Sequence, residues 1–230
     1  MSKKLIMSAV ALLLASGSAL ASNGVVLGAT RVVYNGANKE AALTVENHSD
    51  NKQYFLIQAW VDDKDGNKNV PFSVTPPLFR LNANKENMLR IVKTGEGLPT
   101  DRESVYWVNV KAIPPAPSGG EQNVLQLAIK TRIKLFYRPA GLPGKVTDAP
   151  GALQWSVQGG DLVVKNPSAY SVTLDSVKIG GSEVKNVNLV MPKSDAHYKL
   201  SPGMPHNGQV SFTTVNDYGG IDPVKTSALH

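Results

Sequence analysis

The feature that most constrains the fold of this 230-residue chain is an alternation of side chains between Asn123 and Arg138. Apolar or β-branched side chains alternate with polar side chains along the segment, which is typical of a β-strand with one buried face. At roughly 3.3 Å per residue the strand would be about 50 Å long, whereas most strands have about 5 to 6 residues. One small domain cannot cover that length, so part of the apolar face is expected to be exposed and free to pair with another chain. The apolar face holds Leu125, Leu127, Ile129, Thr131, Ile133, Leu135 and Tyr137, and the opposite face holds Gln126, Lys130, Arg132, Lys134 and Arg138.

Alternation alone leaves two interpretations of this strand open. The strand is either central, buried and bent at a bulge, or it is exposed in its first half. The leader from Pro114 to Gly120 is rich in proline and glycine, cannot donate a full set of strand hydrogen bonds, and predicts a mobile loop. This favours a strand that lends its first half to a partner.

The first 21 residues have the organisation of a secretory signal peptide. Lys3 and Lys4 precede an apolar run from Leu5 to Leu14, and small residues follow up to Ala21. Cleavage after Ala21 is therefore predicted. The run is too short to span a bilayer, and no later stretch approaches about 20 apolar residues, so the mature protein is expected to be soluble and not embedded in a membrane.

Composition excludes some classes of protein. Export implies an oxidising compartment, yet the chain has no cysteine, so its stability must come from sizeable cores rather than disulfides. Removing Lys3 and Lys4 with the leader changes the formal net charge from +6 to +4. Basic and acidic residues are interspersed without a basic stripe, which gives little support for binding to nucleic acid.

Seven short alternating segments separated by turn residues precede Pro139, as expected of an immunoglobulin-like β-sandwich. No segment has a sustained helical period. The predicted strands are Val25 to Tyr34, Ala41 to Glu46, Tyr54 to Val61, Pro71 to Val74, Asn87 to Lys93, Ser104 to Ile113 and Asn123 to Tyr137.

A proline- and glycine-rich stretch from Pro139 to Gly144 then predicts a hinge, which divides the mature chain into domains at 22–139 and 140–230. Weaker alternation after it predicts a second, smaller β-sandwich, and a cleft between two such domains is a common place for a site. Its predicted strands are Leu153 to Val157, Leu162 to Val164, Tyr170 to Ile179, Val184 to Val190, His197 to Leu200 and Gln209 to Thr214.

A search for catalytic and metal-binding patterns finds none. The acidic run from Asp62 to Gly66 is not a calcium loop, because Val61 and Phe72 occupy its first and last ligand positions. No nucleophile elbow or phosphate-binding glycine loop occurs in the mature chain. The four histidines lack ligand spacing and are expected at the surface, so neither an enzyme nor a cofactor or metal site is predicted. These histidines are His48, His197, His206 and His230.

Two cations occupy unusual positions. Arg31 lies in the middle of an apolar strand, and Lys134 lies between Ile133 and Leu135. Each side chain either points to solvent from the polar face of its strand or is held in a cleft for an anion. The pattern leaves both interpretations open.

The segment from Leu98 to Pro115 resembles the signature of the periplasmic pilus chaperones of the chaperone-usher pathway. The short loop after it and the absence of a cysteine pair resemble the short-loop branch, with the greatest similarity to type 1 fimbrial chaperones. The resemblance extends over the mature chain through Ala29 to Tyr34, Thr75 to Pro77, Asn123 to Pro139, Asn166 and Pro167 with Tyr170, and Asn216 to Gly220.

The resemblance implies an all-β protein of two immunoglobulin-like domains in an L-shaped, boomerang-like arrangement. It implies three sets of site residues. A cation pair anchors the subunit's C-terminal carboxylate, alternating apolar residues fill the groove left by the subunit's missing strand, and a charge cluster orients the two domains. These sets correspond to Arg31 and Lys134, to Leu125, Leu127 and Ile129, and to Glu103, Arg138 and Asp217.

The function implied by the resemblance is that of a periplasmic, non-enzymatic chaperone. Such a protein folds pilus subunits by donor-strand complementation, prevents their premature polymerisation and delivers them to an outer-membrane usher. Self-association of the subunit-free protein is left open. The alternatives are an exported fimbrial subunit, for which the expected disulfide and donor extension are not apparent, and a periplasmic binding protein or hydrolase, for which no catalytic constellation is present.

Overall fold

The computed structural model describes residues 24–49, 53–116 and 125–230. The predicted signal peptide, most of the proline-rich leader and the first two residues of the predicted long strand lie outside the described residues. The described chain forms two domains, each of which has its own hydrophobic core.

The first domain is a sandwich of two sheets. One sheet has the strand order β1-β3-β7-β5 and the other has the order β2-β9-β8-β4-β6. Inward-facing side chains such as Val45, Ile57, Leu89, Val108 and Leu135 fill the space between the sheets and are almost completely buried. The strands are β1 (Val25–Leu27), β2 (Arg31–Asn35), β3 (Glu40–Asn47), β4 (Phe55–Asp62), β5 (Phe72–Thr75), β6 (Leu78–Leu81), β7 (Lys85–Lys93), β8 (Ser104–Ile113) and β9 (Ile129–Arg138).

Strand β9 has different neighbours along its length. It pairs antiparallel with β8 from Ile129 to Tyr137, and it pairs parallel with β2 only from Lys134, which lies opposite Arg31. The second half of β9 is therefore enclosed on both sides, whereas its first half has one neighbouring strand.

The predicted strand from Asn123 to Tyr137 was too long, because residues 125–128 are not in a strand. The last pair of the ladder joins Ala112 to Ile129. Strand β8 ends one residue later, and Pro114 and Pro115 follow without an N–H group to continue the ladder.

The predicted strand from Val25 to Tyr34 is two strands that belong to different sheets. The chain leaves one sheet after β1 and enters the other at β2. Gly28 lies at this crossing, where its N–H donates to the carbonyl of Thr44 at 3.0 Å. Strand β6 was not predicted.

The second domain contains a short 3-10 helix (Val146–Ala152) and eight strands around a core that includes Trp155, Leu162 and Ile179. The strands form one continuous sheet in the order β13-β12-β16-β17-β10-β11-β15, with β14 paired to β12. They are β10 (Gln154–Gln158), β11 (Asp161–Asn166), β12 (Val172–Ile179), β13 (Ser182–Glu183), β14 (Leu189–Val190), β15 (Ser194–Lys199), β16 (Gly208–Val215) and β17 (Lys225–Leu229).

The prediction of one strand from Val184 to Val190 was wrong, since that region holds a turn at Lys185 and Asn186 followed by β14. Asn186 has a φ of 58°, a left-handed conformation that interrupts a strand. The 3-10 helix, β13 and β17 were not predicted. Among the described residues, no helix combines the length and the apolar content needed to cross a bilayer.

Candidate functional site

Arg31 and Lys134 lie side by side at the junction of the two domains. They are register partners on β2 and β9, and their neighbours Val32 and Leu135 point into the core, so both cations lie on the opposite face. Arg31 Nη1 donates to the carbonyl of Val215 at 3.0 Å, and Lys134 Nζ donates to Asn188 Oδ1 at 2.9 Å. Because both acceptors belong to the second domain, the cations lie in the cleft rather than in open solvent.

The cleft disfavours the charges of these two side chains. Burial lowers the pKa of Arg31 against an opposing attraction from Asp217. Burial and the nearby charge of Arg31 both lower the pKa of Lys134. The two acceptors in the cleft are neutral, and within the described chain neither cation takes part in an ion pair. Two adjacent, partly desolvated cations form a site that would favour an anion.

The charge cluster predicted from the sequence is assembled around Arg138. Arg138 Nε donates to Glu103 Oε1 at 2.6 Å, and its two Nη atoms donate to the carboxylate of Asp217 at 2.8 and 2.9 Å. The other Glu103 oxygen accepts from the N–H of Ser171 at 2.7 Å. Glu103 and Arg138 belong to the first domain, and Ser171 and Asp217 belong to the second, so this network ties the domains together.

Burial and charge pairing oppose each other in this network. It raises the pKa of Glu103, although the N–H of Ser171 and the charge of Arg138 act in the opposite direction. Burial alone would lower the pKa of Arg138, but the hydrogen bonds to Asp217 and the attraction of Glu103 outweigh it and raise that pKa. The guanidinium therefore stays charged and holds two carboxylates from different domains.

The predicted apolar row lies at the open end of the first domain. The side chains of Leu125, Leu127 and Ile129 are 82%, 67% and 66% exposed. They border a cavity of about 360 Å³ whose wall includes Phe55 and Val110. Large apolar side chains with this exposure are available for contact with another molecule.

The apolar row and Lys134 are carried by one continuous segment, and Arg31 lies opposite Lys134 on β2. Ile129 and Lys134 are the first and sixth residues of β9, which separates them by about 17 Å at the usual rise of a strand. An extended chain that pairs with the exposed edge would therefore meet the apolar row and the cations in sequence.

Sequence reasoning missed the partners of these residues. Phe136 is buried on the cationic face of β9, under the Arg31 guanidinium at 5.7 Å from its ring centre. Phe136 interrupts the polar face between Lys134 and Arg138, and this apolar position was a sequence signal that part of that face is covered. Asn188 and Val215 gave no signal, because only the docking of the second domain brings them to the cleft.

A second cavity, of about 390 Å³, lies between the domains. Its lining includes Arg31, Phe136 and Arg138 from the first domain, and Thr173 and Tyr218 from the second. This cavity is called the interdomain cavity below.

The fold and the site define a class of β proteins in which two immunoglobulin-like domains enclose a cationic cleft. Comparisons with known proteins identify the family within this class. The chain belongs to the pilus-assembly chaperones. A family model for the pili and flagellar-assembly chaperone PapD N-terminal domain matches residues 24–143, and one for the pili assembly chaperone PapD C-terminal domain matches residues 148–226.

Individual relatives agree with this assignment. The chain is 47% identical to the probable fimbrial chaperone LpfB of Escherichia coli O157:H7, over 92% of this chain and 91% of the relative. A chain in the solved complex of the Salmonella enterica SafA pilin with the SafB chaperone has a TM-score of 0.82 and 37% identity, covering 92% of this chain and 99% of that chain. The solved periplasmic chaperone SfaE has a TM-score of 0.76 and 39% identity, covering 90% and 100%. The predicted family and the predicted all-β fold of two immunoglobulin-like domains are confirmed, and the family is one of chaperones.

Proposed function

We propose that this protein is a periplasmic chaperone that binds fimbrial subunits through donor-strand complementation. It folds them, prevents their premature polymerisation and delivers them to an outer-membrane usher, without catalysing a reaction. The proposal draws support from the pilin bound in the SafA–SafB complex and from the periplasmic SfaE. It includes removal of residues 1–21 as a signal peptide and a mature chain divided into domains at 22–139 and 140–230.

The observation that carries the proposal is the exposure of Leu125, Leu127 and Ile129 beside the exposed edge of the first domain. An exposed apolar row at a strand edge promotes aggregation unless another chain covers it. A subunit that lacks one strand offers a groove for alternating apolar side chains. Burial of each side chain contributes roughly 1.5 to 3 kcal/mol, so the three together supply most of the affinity.

Arg31 and Lys134 are proposed to bind the subunit's C-terminal carboxylate. Each makes a hydrogen bond to a neutral acceptor in the cleft, and a carboxylate is a stronger acceptor for both. Charge-assisted hydrogen bonds contribute roughly 1.5 to 3 kcal/mol each. Because the carboxylate is held at one fixed point, the anchor sets the register in which the subunit pairs with the segment that carries Leu125, Leu127 and Ile129.

The network of Glu103, Arg138 and Asp217 is proposed to orient the domains rather than to contact the subunit. It joins the end of β9 to the loop after β16. It thereby holds the second-domain wall of the cleft next to the cation pair.

The deciding experiment is a co-purification with the fimbrial subunit encoded beside this protein, comparing wild type with Lys134→Ala. Loss of the anchor should weaken the complex roughly 10- to 100-fold. The matched control is Lys130→Ala, which removes an exposed lysine from the same face of the same strand outside the cleft. It should retain the complex.

Circular dichroism and thermal unfolding establish that both variants are folded. A folded Lys134→Ala variant that retains a full yield of complex would show that Lys134 is not an anchor. Equal losses in Lys134→Ala and Lys130→Ala would indicate a general attraction by positive charge instead.

A further inference from the structure

The loop that joins β16 to β17, residues 216–224, is called the cleft loop here. Its tip contacts the first domain next to the cation pair. The carboxylate of Asp217 binds Arg138, and Gly219, with a φ of +86°, packs so closely on Thr30 that no Cβ would fit. Thr30 directly precedes Arg31, so the tip of the cleft loop lies at the entrance to the anchor.

The cleft loop is held in one conformation by its own polar groups. Asn216 Oδ1 accepts from the N–H groups of Tyr218 and Gly220 at 3.1 and 3.0 Å, and its Nδ2 donates to Asp222 Oδ1 at 3.0 Å. Asp222 Oδ2 accepts from the hydroxyl of Thr214 at 3.1 Å. None of these hydrogen bonds uses the side chain of Tyr218.

Tyr218 is 97% exposed, although its loop is ordered by these contacts. Ile221 and Val224 on the same loop are also exposed. A tyrosine on a fixed loop provides a large contact surface with little loss of conformational entropy, and aromatic residues are frequent among the dominant residues of interfaces. The side chain has almost no packing role in the described protein, so a role in binding accounts for it better than a role in stability.

The occupant that best fits this surface is the subunit rather than a second copy of this chain. Tyr218 and Arg31 both line the interdomain cavity, so a chain end held by Arg31 lies against the same wall. The surface at Tyr218 is thus continuous with the cavity in which Arg31 is proposed to hold the subunit's chain end.

We propose that Tyr218 is a further contact for the fimbrial subunit, packing its ring against apolar surface next to the subunit's C-terminal residue. This inference rests on the proposed function, since the subunit reaches Tyr218 only if its chain end enters the cleft. Tyr218 would then add affinity from the second domain to a complex that the first domain anchors.

The test compares Tyr218→Ser with wild type in the rate at which the purified complex with the neighbouring fimbrial subunit exchanges into excess tagged wild-type chaperone. Tyr218→Ser should release the subunit about tenfold faster, as expected for loss of an aromatic interface residue. Met88→Ser is the matched control. Met88 is an apolar residue that is 51% exposed on β7, in the sheet of the first domain that does not contain β9. It should release the subunit at the wild-type rate.

Exchange from Tyr218→Ser at the wild-type rate would overturn the inference. So would a drop in its melting temperature, which would indicate a structural role, or a change confined to self-association, which would indicate a contact between copies. Lys134→Ala separates the two proposals. If Lys134→Ala loses the complex while Tyr218→Ser behaves as wild type, the anchor stands and only the Tyr218 contact fails.

Discussion

The residues before and after Ile129 share one alternating pattern but lie in different surroundings. Leu125 and Leu127 are largely exposed and belong to no strand, whereas Leu135 and Tyr137 are buried in the core of the first domain. The difference follows from neighbours. The second half of β9 pairs with β8 on one side and β2 on the other, and residues 125–128 pair with neither.

The comparison shows that one hydrophobic pattern can serve two purposes. Where strands enclose it on both sides, an apolar side chain contributes to the free energy of folding. Where they end, the same kind of side chain remains available for binding. If the two halves act independently, substitutions in the buried half should change stability, and substitutions in the exposed half should change subunit binding.

The largest expected effect is on stability in the buried half. Leu135→Ala should lower the free energy of unfolding of the first domain by about 2 to 5 kcal/mol, because it leaves a cavity in a closed core. Leu127→Ala should change it by less than about 0.5 kcal/mol. Urea unfolding followed by tryptophan fluorescence measures both. Similar losses in the two variants would mean that the exposed half is packed in the free protein and would remove the distinction.

A smaller effect is expected on subunit binding in the exposed half. Leu127→Asp should weaken the subunit complex at least about tenfold, since it removes apolar contact and places a carboxylate in an apolar groove. Gln126→Asp introduces the same charge one residue earlier on the opposite face and should have little effect. Subunit exchange into wild-type chaperone measures both variants. Equal effects would argue against insertion of alternate side chains.

The smallest expected effect is a pH dependence of subunit affinity, which arises from Lys134 in the enclosed half of β9. Burial and Arg31 lower the pKa of Lys134, so the ammonium loses its proton at a lower pH than an ordinary lysine. Because a bound carboxylate needs that positive charge, affinity should fall several-fold as pH rises from about 8 to 10. Lys134→Arg keeps its charge throughout this range and should show a flatter profile, measured by binding at matched ionic strength. An equally steep decline in Lys134→Arg would assign the pH dependence to another group.

Much of the fold could be predicted from local patterns. The strands with clear alternation, such as β3, β4, β7 and β8, lie within one or two residues of their predicted limits. The proline- and glycine-rich hinge and the weaker second set of strands also indicated two domains. Strands β6, β13 and β17 were missed, because two to five residues without clear alternation carry too little signal.

The candidate site was only partly predictable from local patterns. The trio of Glu103, Arg138 and Asp217 was selected by family resemblance, and the structure brings the three side chains into contact. No local pattern points to Asn188 or Val215, which contact the cations from the second domain. Strand periodicity alone placed Lys134 on the polar face but could not show that the second domain covers that face.

The sequence by itself determined which side chains share a face, because successive residues of an extended chain point to opposite sides whatever surrounds them. It also determined the absence of disulfides, because the chain has no cysteine. Only the tertiary structure decided which part of the apolar face is covered and where Arg31 and Lys134 point. Those outcomes depend on contacts between distant residues, such as the hydrogen bond that joins Arg31 to Val215 across 184 positions. Local backbone geometry carries no information about such contacts. The sequence pattern therefore described the alternation, whereas the tertiary fold buried one end of the segment in the core and left the other end exposed.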